Sequence, residues 1–405
     1  MEIPSRKKRN QLVELAHTYG LPLYVYDQDQ IVKQYRQFVH SFDVTSLKVR
    51  YAAKALTNIH ILKVLKREGA GIDAVSIQEV KIALMAGFSP EEIVFTPSGV
   101  SLEEFEEAMK VGVQINIDNL EILEYFGLHF KGIPVGIRIN PHIMAGGNSK
   151  ISVGHIDSKF GISVYQMPLV HRLVESLNIQ IDGIHMHTGS DILDIGVFLQ
   201  AAEILFNVAK EFNHLQYLDF GSGFKLAYRN DDIETDIEEL GSALSQRFNA
   251  FCQSYGKPLT LILEPGKYLV SGAGYFLTKA NWIKQTTSTV FVQLDSGFNH
   301  LIRPMFYGAY HQILNLSNID GKPKVYTLTG YICETDTFAV NRVLPEVRAN
   351  DILCFLNAGA YGYAMASNYN SRCRPAEVLM DKNDSQLIRR RETLEDLLDG
   401  QLNLD

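Results

Sequence analysis

The chain contains no run of about 18 uncharged apolar residues, which argues against a membrane-spanning helix. Its beginning, MEIPSRKKRNQLVELA, lacks the apolar stretch of a secretory signal. Cysteine is scarce and scattered: Cys252, Cys333, Cys354 and Cys373 form neither a C-x-x-C pair nor a dense framework. Neither a disulfide scaffold nor a zinc site is expected from them, and a reduced cytoplasmic protein is the simplest expectation. Positive charge is also in short supply. A formal net charge of −8 leaves no basic footprint for a phosphate backbone, so nucleic acid is not an expected partner. The short run Arg6, Lys7, Lys8, Arg9 reads as a solvated helix start. Low-complexity segments and solenoid-type repeats are missing too.

What remains is an ordinary globular composition, 405 residues with 46% hydrophobic and 21% charged, enough to bury a sizeable core in two or three domains. From about residue 46 to 265 one grammar recurs: a short apolar run, a loop, then an amphipathic segment. The runs are LKVRYAA (47–53), GIDAV (71–75), EIVFT (92–96), VQINI (113–117), VGIRIN (135–140), DGIHMH (182–187), QYLDF (216–220) and TLILE (260–264). Helix-like stretches lie between them, such as Ser76 to Ala86 and Ser101 to Val111, the latter opening on the capping-box pattern S-L-E-E. Eight such units predict an α/β fold closed as a (β/α)8 TIM-like barrel, although a doubly wound open sheet obeys the same grammar. After about residue 270 the texture becomes β-rich, with GYFLTKANWIK, TSTVFVQLD, KVYTLTGYIC and DILCFLN spaced by turn residues. The expected domains are a barrel over 30–270 and a β-rich domain over 271–405, joined by the N-terminal segment 1–29 with its strand-like LPLYVYD. The tail from Asp381 to Asp405 reads as helix-like and carries no motif.

In a βα barrel the chemistry gathers at the C-terminal ends of the strands. Here those ends are polar: Lys54 after the first run, Asp73 within the second, Asp118 and Asn119 after the fourth, Arg138 and Asn140 in the fifth, His187 closing the sixth, Gly221-Ser222-Gly223 after the seventh and Glu264 closing the eighth. The loops after strands seven and eight commonly build a phosphate site from backbone N–H groups, and here they read G-S-G and E-P-G-K. A lysine nucleophile, a phosphate site and an acid together fit pyridoxal phosphate. Lys54 would hold its aldehyde, Glu264 would pair with the pyridine nitrogen and His187 would stack on the ring. His187 also reads as a core histidine, and His185-Met-His187 as a metal pair that lacks a third ligand; no metal is expected.

Further stretches, YAAKA (51–55), DAVSIQE (73–79), KFGI (159–162), GIHMHTGS (183–190), LDFGSGF (218–224), EPGK (264–267), IRPMFYGAYH (302–311), CET (333–335) and NAGAYGYAMASNYNSRCRPAEV (357–378), resemble the fold type III pyridoxal-phosphate decarboxylases, most closely the branch acting on diaminopimelate. The resemblance implies an alanine-racemase-like barrel followed by a β domain, a homodimer with shared active sites, and decarboxylation of meso-2,6-diaminopimelate to L-lysine in lysine synthesis. Related members acting on ornithine, arginine or carboxynorspermidine are the alternative. It also implies roles: Lys54 as cofactor lysine, His187 on the ring, Glu264 on the pyridine nitrogen, and Ser190, Gly223 and Tyr361 on the phosphate, with Asp73 and Arg138 around the ring. Gly221, Gly266 and Lys267 join the cofactor set. Arg303 and Tyr307, with Lys267 and Tyr361, would take the substrate carboxylate, Cys333 would reprotonate the carbanion, and Glu334 would bind the distal ammonium, the last two from the other subunit. The chain departs from the family's usual pattern at Lys267 (arginine elsewhere), Asp191 (glutamine), Asn357 (aspartate), Ser222 within the glycine run, and the loop C-E-T-D-T.

Overall fold

In the computed structural model, residues 3–143, 158–229, 231–382 and 384–402 are described. The chain divides into two compact units, one of Val32–Leu226 with Ile233–Leu269, the other of Met1–Ile31, Ala227–Asp232 and Val270–Asp405.

The first unit is built on eight parallel strands: β1 (Leu47–Ala52), β2 (Gly71–Ala74), β3 (Ile93–Phe95), β4 (Gln114–Ile117), β5 (Pro134–Asn140), β6 (Gln180–Met186), β7 (Tyr217–Asp219) and β8 (Thr260–Leu263). Each pairs with its sequence neighbour, and β8 pairs with β1, so the sheet closes on itself. Closure excludes the open doubly wound sheet. The strands are short and apolar on both faces because helices cover the outside and side chains fill the inside. Helices Ile59–Arg67, Ile77–Met85, Leu102–Val111, Leu120–His129, Met167–Leu177, Ile195–Ala209 and Ile237–Tyr255 follow β1 to β7 in order.

The helix starts are set by side chains. Ser76, Ser101, Asn119 and Asp194 each accept a backbone N–H from the first turn of the helix they open. The S-L-E-E box is half made: Ser101 Oγ accepts from Glu104 N at 3.2 Å. Glu104 Oε1 instead accepts from Ile77 N at 2.8 Å, tying one helix to the first turn of the preceding one.

The second unit carries a mixed sheet of nine described strands. Strand Leu23–Asp27 lies between Gly274–Gln285, antiparallel, and Ala376–Met380, parallel. The early segment LPLYVYD thus belongs to this sheet. Leu12, Leu15, Leu23, Val25, Leu277, Cys354 and Val378 pack into one apolar cluster against it. The tail is corrected. Strand Ser385–Arg389 pairs with Ala376–Met380, and among the described residues only Leu394–Leu398 of that tail is helical. The strand is held by Arg389, whose guanidinium bonds the fully buried Glu377 carboxylate. No described helix is long and apolar enough to cross a membrane.

Candidate active site

Barrel closure brings the polar strand ends to one rim. β1 runs into a tight turn, Ala53–Ala55, that presents Lys54. Its ammonium stands 3.8 Å from Asp73 Oδ2 on β2, whose Cα is level with Ala52. Lys54 is only partly desolvated, its side chain 41% exposed, while that of Asp73 is 3% exposed. Burial, and then the nearby Glu264 charge, push the Asp73 carboxyl up to about 7, with Lys54 and Arg138 pulling the other way.

On the far side of the barrel, Arg138, His185 and Asp219 sit level with one another on β5, β6 and β7. All three are buried. His185 Nε2 lies 3.0 Å from Glu264 Oε2, one residue past β8. Burial alone would raise the Glu264 carboxyl; His185, Asp219 and Lys54 outweigh it and hold the group below its ordinary value. Asp219 goes the other way, raised by burial and by Glu264. His187 is held well below the usual imidazole range by burial and by the cations Lys54 and Arg138, so it is neutral at pH 7. Its Nδ1 accepts the Ser222 N–H at 3.3 Å. Arg138 also lies over the Phe160 ring of the K-F-G-I stretch, 4.8 Å from its centroid.

The loops after β6, β7 and β8 are interlocked. Gly221 N donates to Asp219 Oδ1 at 2.9 Å, and Gly221 O accepts from Glu264 N at 2.8 Å. A side chain on Gly223 would place its Cβ 1.9 Å from Gly189 O, in the loop that carries Ser190. Gly266 lets the loop after β8 lie on the lysine turn, because a Cβ there would meet those of Ala52 and Ala55 at 3.0 and 3.2 Å. Two departures from the family pattern meet here: Lys267 forms an ion pair with Asp191, a residue at positive φ (61°).

The remaining candidates belong to the β-rich unit. Arg303, 8% exposed, opens the short helix Arg303–Tyr307. Its guanidinium lies 5.4 Å from the Tyr228 ring centroid and 5.8 Å from that of Tyr307. Tyr307 OH approaches Met365 Sδ at 3.9 Å, and Tyr361 is held at positive φ (55°). Cys333 is exposed and accepts from Asn370 Nδ2 at 3.1 Å; Glu334 accepts the Tyr369 hydroxyl proton. The C-E-T-D-T loop is shaped by Asp336, which accepts from Phe298 N at 2.8 Å and Ile332 N at 3.0 Å. Asn357 Nδ2 donates to Ala227 O at 2.9 Å, a bond that an aspartate could not make.

Reading the strand ends alone did not bring out His185 and Asp219 as site residues. The signal was present: each stands two positions before a rim residue, His187 or Gly221, and so on the same strand face. Their group, His185, Asp219 and Glu264, has ligand-capable atoms within 4.8 Å of one another, and the His185–Glu264 bond shows that these groups are partnered with each other.

The residues fit pyridoxal phosphate. Oδ1 of Asp73 and Oε1 of Glu264 are buried without a protein hydrogen-bond partner, beside a lysine amine and glycine-crossed loops. An ionised buried carboxylate is the acceptor that a protonated pyridine nitrogen requires.

Barrel, mixed sheet and lysine rim together define a decarboxylase of the pyridoxal-dependent class, and the family "pyridoxal-dependent decarboxylase, pyridoxal binding domain" matches residues 28–271. The chain belongs to this family, within its diaminopimelate decarboxylase branch. It is 39% identical to the diaminopimelate decarboxylase of Methanothermobacter thermautotrophicus, covering 96% of this chain and 93% of that protein. It is 35% identical to that of Escherichia coli K12, covering 96% and 95%. The crystal structure of the Helicobacter pylori diaminopimelate decarboxylase complexed with L-lysine superposes with a TM-score of 0.88 at 31% identity, covering 96% of this chain and 98% of that one.

Proposed function

We propose that this chain removes CO2 from meso-2,6-diaminopimelate to give L-lysine, using pyridoxal phosphate. The observation that carries this is the single rim holding Lys54, Asp73, His187 and Glu264 in a chain related over nearly its full length to diaminopimelate decarboxylases. Pyridoxal phosphate, when bound, supplies the electron sink for the carbanion left by CO2 loss.

The chain's own residues do the rest. Lys54 holds the cofactor's aldehyde carbon, and Glu264, ionised by its neighbours, keeps a proton on the pyridine nitrogen. Neutral His187 covers the ring face, and Asp73 and Arg138 complete the charge network around it. Ser190, Gly221, Gly223, Gly266 and Tyr361 take the phosphate. Arg303 and Tyr307, with Lys267, would take the carboxylate that stays and so fix the orientation of the substrate. Glu334 would take the distal ammonium, and the Cys333 thiol would hold the proton that replaces CO2.

The span 30–270 is the cofactor-binding domain in this reading, and 1–29 with 271–405 is the β-rich one. The working assembly is a cytoplasmic homodimer in which Cys333 and Glu334 serve the other subunit's site. Exposed apolar side chains on the mixed sheet support an association: Trp282 is 70% exposed, Val340 64%, Val343 62% and Val325 54%. Scattered, free cysteines support a reduced compartment.

Ornithine, arginine and carboxynorspermidine lack the second α-amino acid group that an arginine clamp beside a C-E dipeptide suits. Steady-state assays on diaminopimelate, ornithine and carboxynorspermidine test this. Turnover of diaminopimelate alone is expected, and turnover of ornithine without diaminopimelate would overturn the assignment.

A further inference from the structure

Glu264 is a buried carboxylate surrounded by charged and polar groups from several strands. It faces His185 from β6, Asp219 from β7, Asp73 from β2, Arg138 from β5 and Lys54 from the turn after β1. Among these, His185 makes the direct bond, 3.0 Å from ring Nε2 to Oε2, with both side chains buried. A carboxylate only accepts, so Nε2 carries the hydrogen and the neutral ring leaves Nδ1 as the acceptor end. Burial, and then the nearby Glu264 charge, disfavour ionisation of Asp219, whose ligand atom lies within 4.8 Å of that of Glu264. Asp219 Oδ1 is taken by the Gly221 N–H at 2.9 Å, and its Oδ2 is buried without a hydrogen-bond partner.

We propose that His185 is a positioning residue of the cofactor site: its Nε2–H fixes Glu264 as the ionised acceptor for the pyridine nitrogen, while Asp219 carries the proton the pair must share. This rests on the pyridoxal phosphate reading above. Neither His185 nor Asp219 touches the cofactor in this account. Both act through Glu264, and His187, two residues on, is the histidine that meets the ring.

The direction of the charge shifts agrees with the geometry. His185 lowers Glu264, and Asp219 is raised chiefly by burial and then by Glu264. Removing the His185 donor therefore lets Glu264 take up a proton at a higher pH, and the cofactor loses its charged partner there.

The test titrates the visible absorbance of the holoenzyme with acid in the wild type and in His185→Phe and His185→Gln. The Phe variant should move the acid transition upward by about 1–2 pH units, the worth of one hydrogen bond to a charge. It should also lose pyridoxal phosphate faster on dialysis and lower kcat with little change in KM. The Gln variant, which keeps an N–H donor, should stay near the wild type. If the Phe variant does not fold, His185→Leu against His185→Gln reads the same contrast. An unshifted transition in a folded variant lacking the donor would overturn the role of His185. A wild-type protein that takes up no pyridoxal phosphate would overturn the cofactor reading itself.

Discussion

At the residue scale, the site is governed by which buried carboxyl keeps its charge. Asp73 is raised to about 7 by burial and by Glu264, so the folded protein binds a proton there that the unfolded chain, near the ordinary 3.9, does not. Its contribution to stability is full below about pH 4 and is lost as pH rises toward 7. In the cofactor-free protein, Asp73→Asn should remove that slope. Urea unfolding at pH 4.5 to 7.5 should show the wild type losing stability relative to the variant as pH rises, and a wild type that gains on the variant with pH would contradict the assignment. Asn357 gives a second case. Its amide donates to Ala227 O, and the carboxylate of Asn357→Asp would face that carbonyl with no hydrogen to offer. A loss of about 1–3 kcal/mol is expected in urea unfolding near pH 7. The placement of Lys54, His187 and Glu264 at the barrel rim was legible in the sequence because each closes or follows an apolar run. The Lys267–Asp191 pair was not: the two stand 76 positions apart, and their side chains meet only once the loops after β6 and β8 are in place.

At the element scale, local chemistry explains the helices and leaves the sheet order open. Caps such as Ser76 and Ser101 marked helix starts that the structure keeps. The partner of Glu104 was not readable, because the box predicts a bond back to its own helix whereas the carboxylate serves Ile77 of another. Glu104→Ala should therefore strip an acceptor from the buried first turn of Ile77–Met85 and cost about 1–2 kcal/mol, against about 1 kcal/mol for Ser101→Ala. Equilibrium unfolding of the two variants checks this, and a neutral Glu104→Ala would deny the cross-helix bond. The mixed sheet shows the limit most clearly. Strand Leu23–Asp27 pairs with Gly274–Gln285 and Ala376–Met380, some 250 and 350 residues onward, and no local pattern encodes such pairings. The short strand Ile313–Asn315 and the strand Ser385–Arg389 lacked the length or apolar alternation that marks a strand, and pairing supplied what propensity did not.

At the scale of the whole molecule, the barrel was legible because eight apolar runs repeat at βα spacing, and the chemistry because one rim collects their polar ends. What composition and periodicity left open, family resemblance addresses: it supplies the substrate, and the carboxylate clamp and the shared site as proposals. The proposed dimer makes its own prediction. Inactive Lys54→Ala and Cys333→Ala subunits, mixed under conditions that exchange subunits, should regain activity through one complete site per hybrid dimer. No recovery after verified exchange would contradict a site shared between subunits. The most direct test of the central claim is product analysis. Wild-type protein with pyridoxal phosphate and meso-2,6-diaminopimelate should release L-lysine and CO2 in equal amounts, and Lys54→Ala should release neither and lack the visible band of bound cofactor. Full turnover by Lys54→Ala, or no L-lysine from the wild type, would contradict the account.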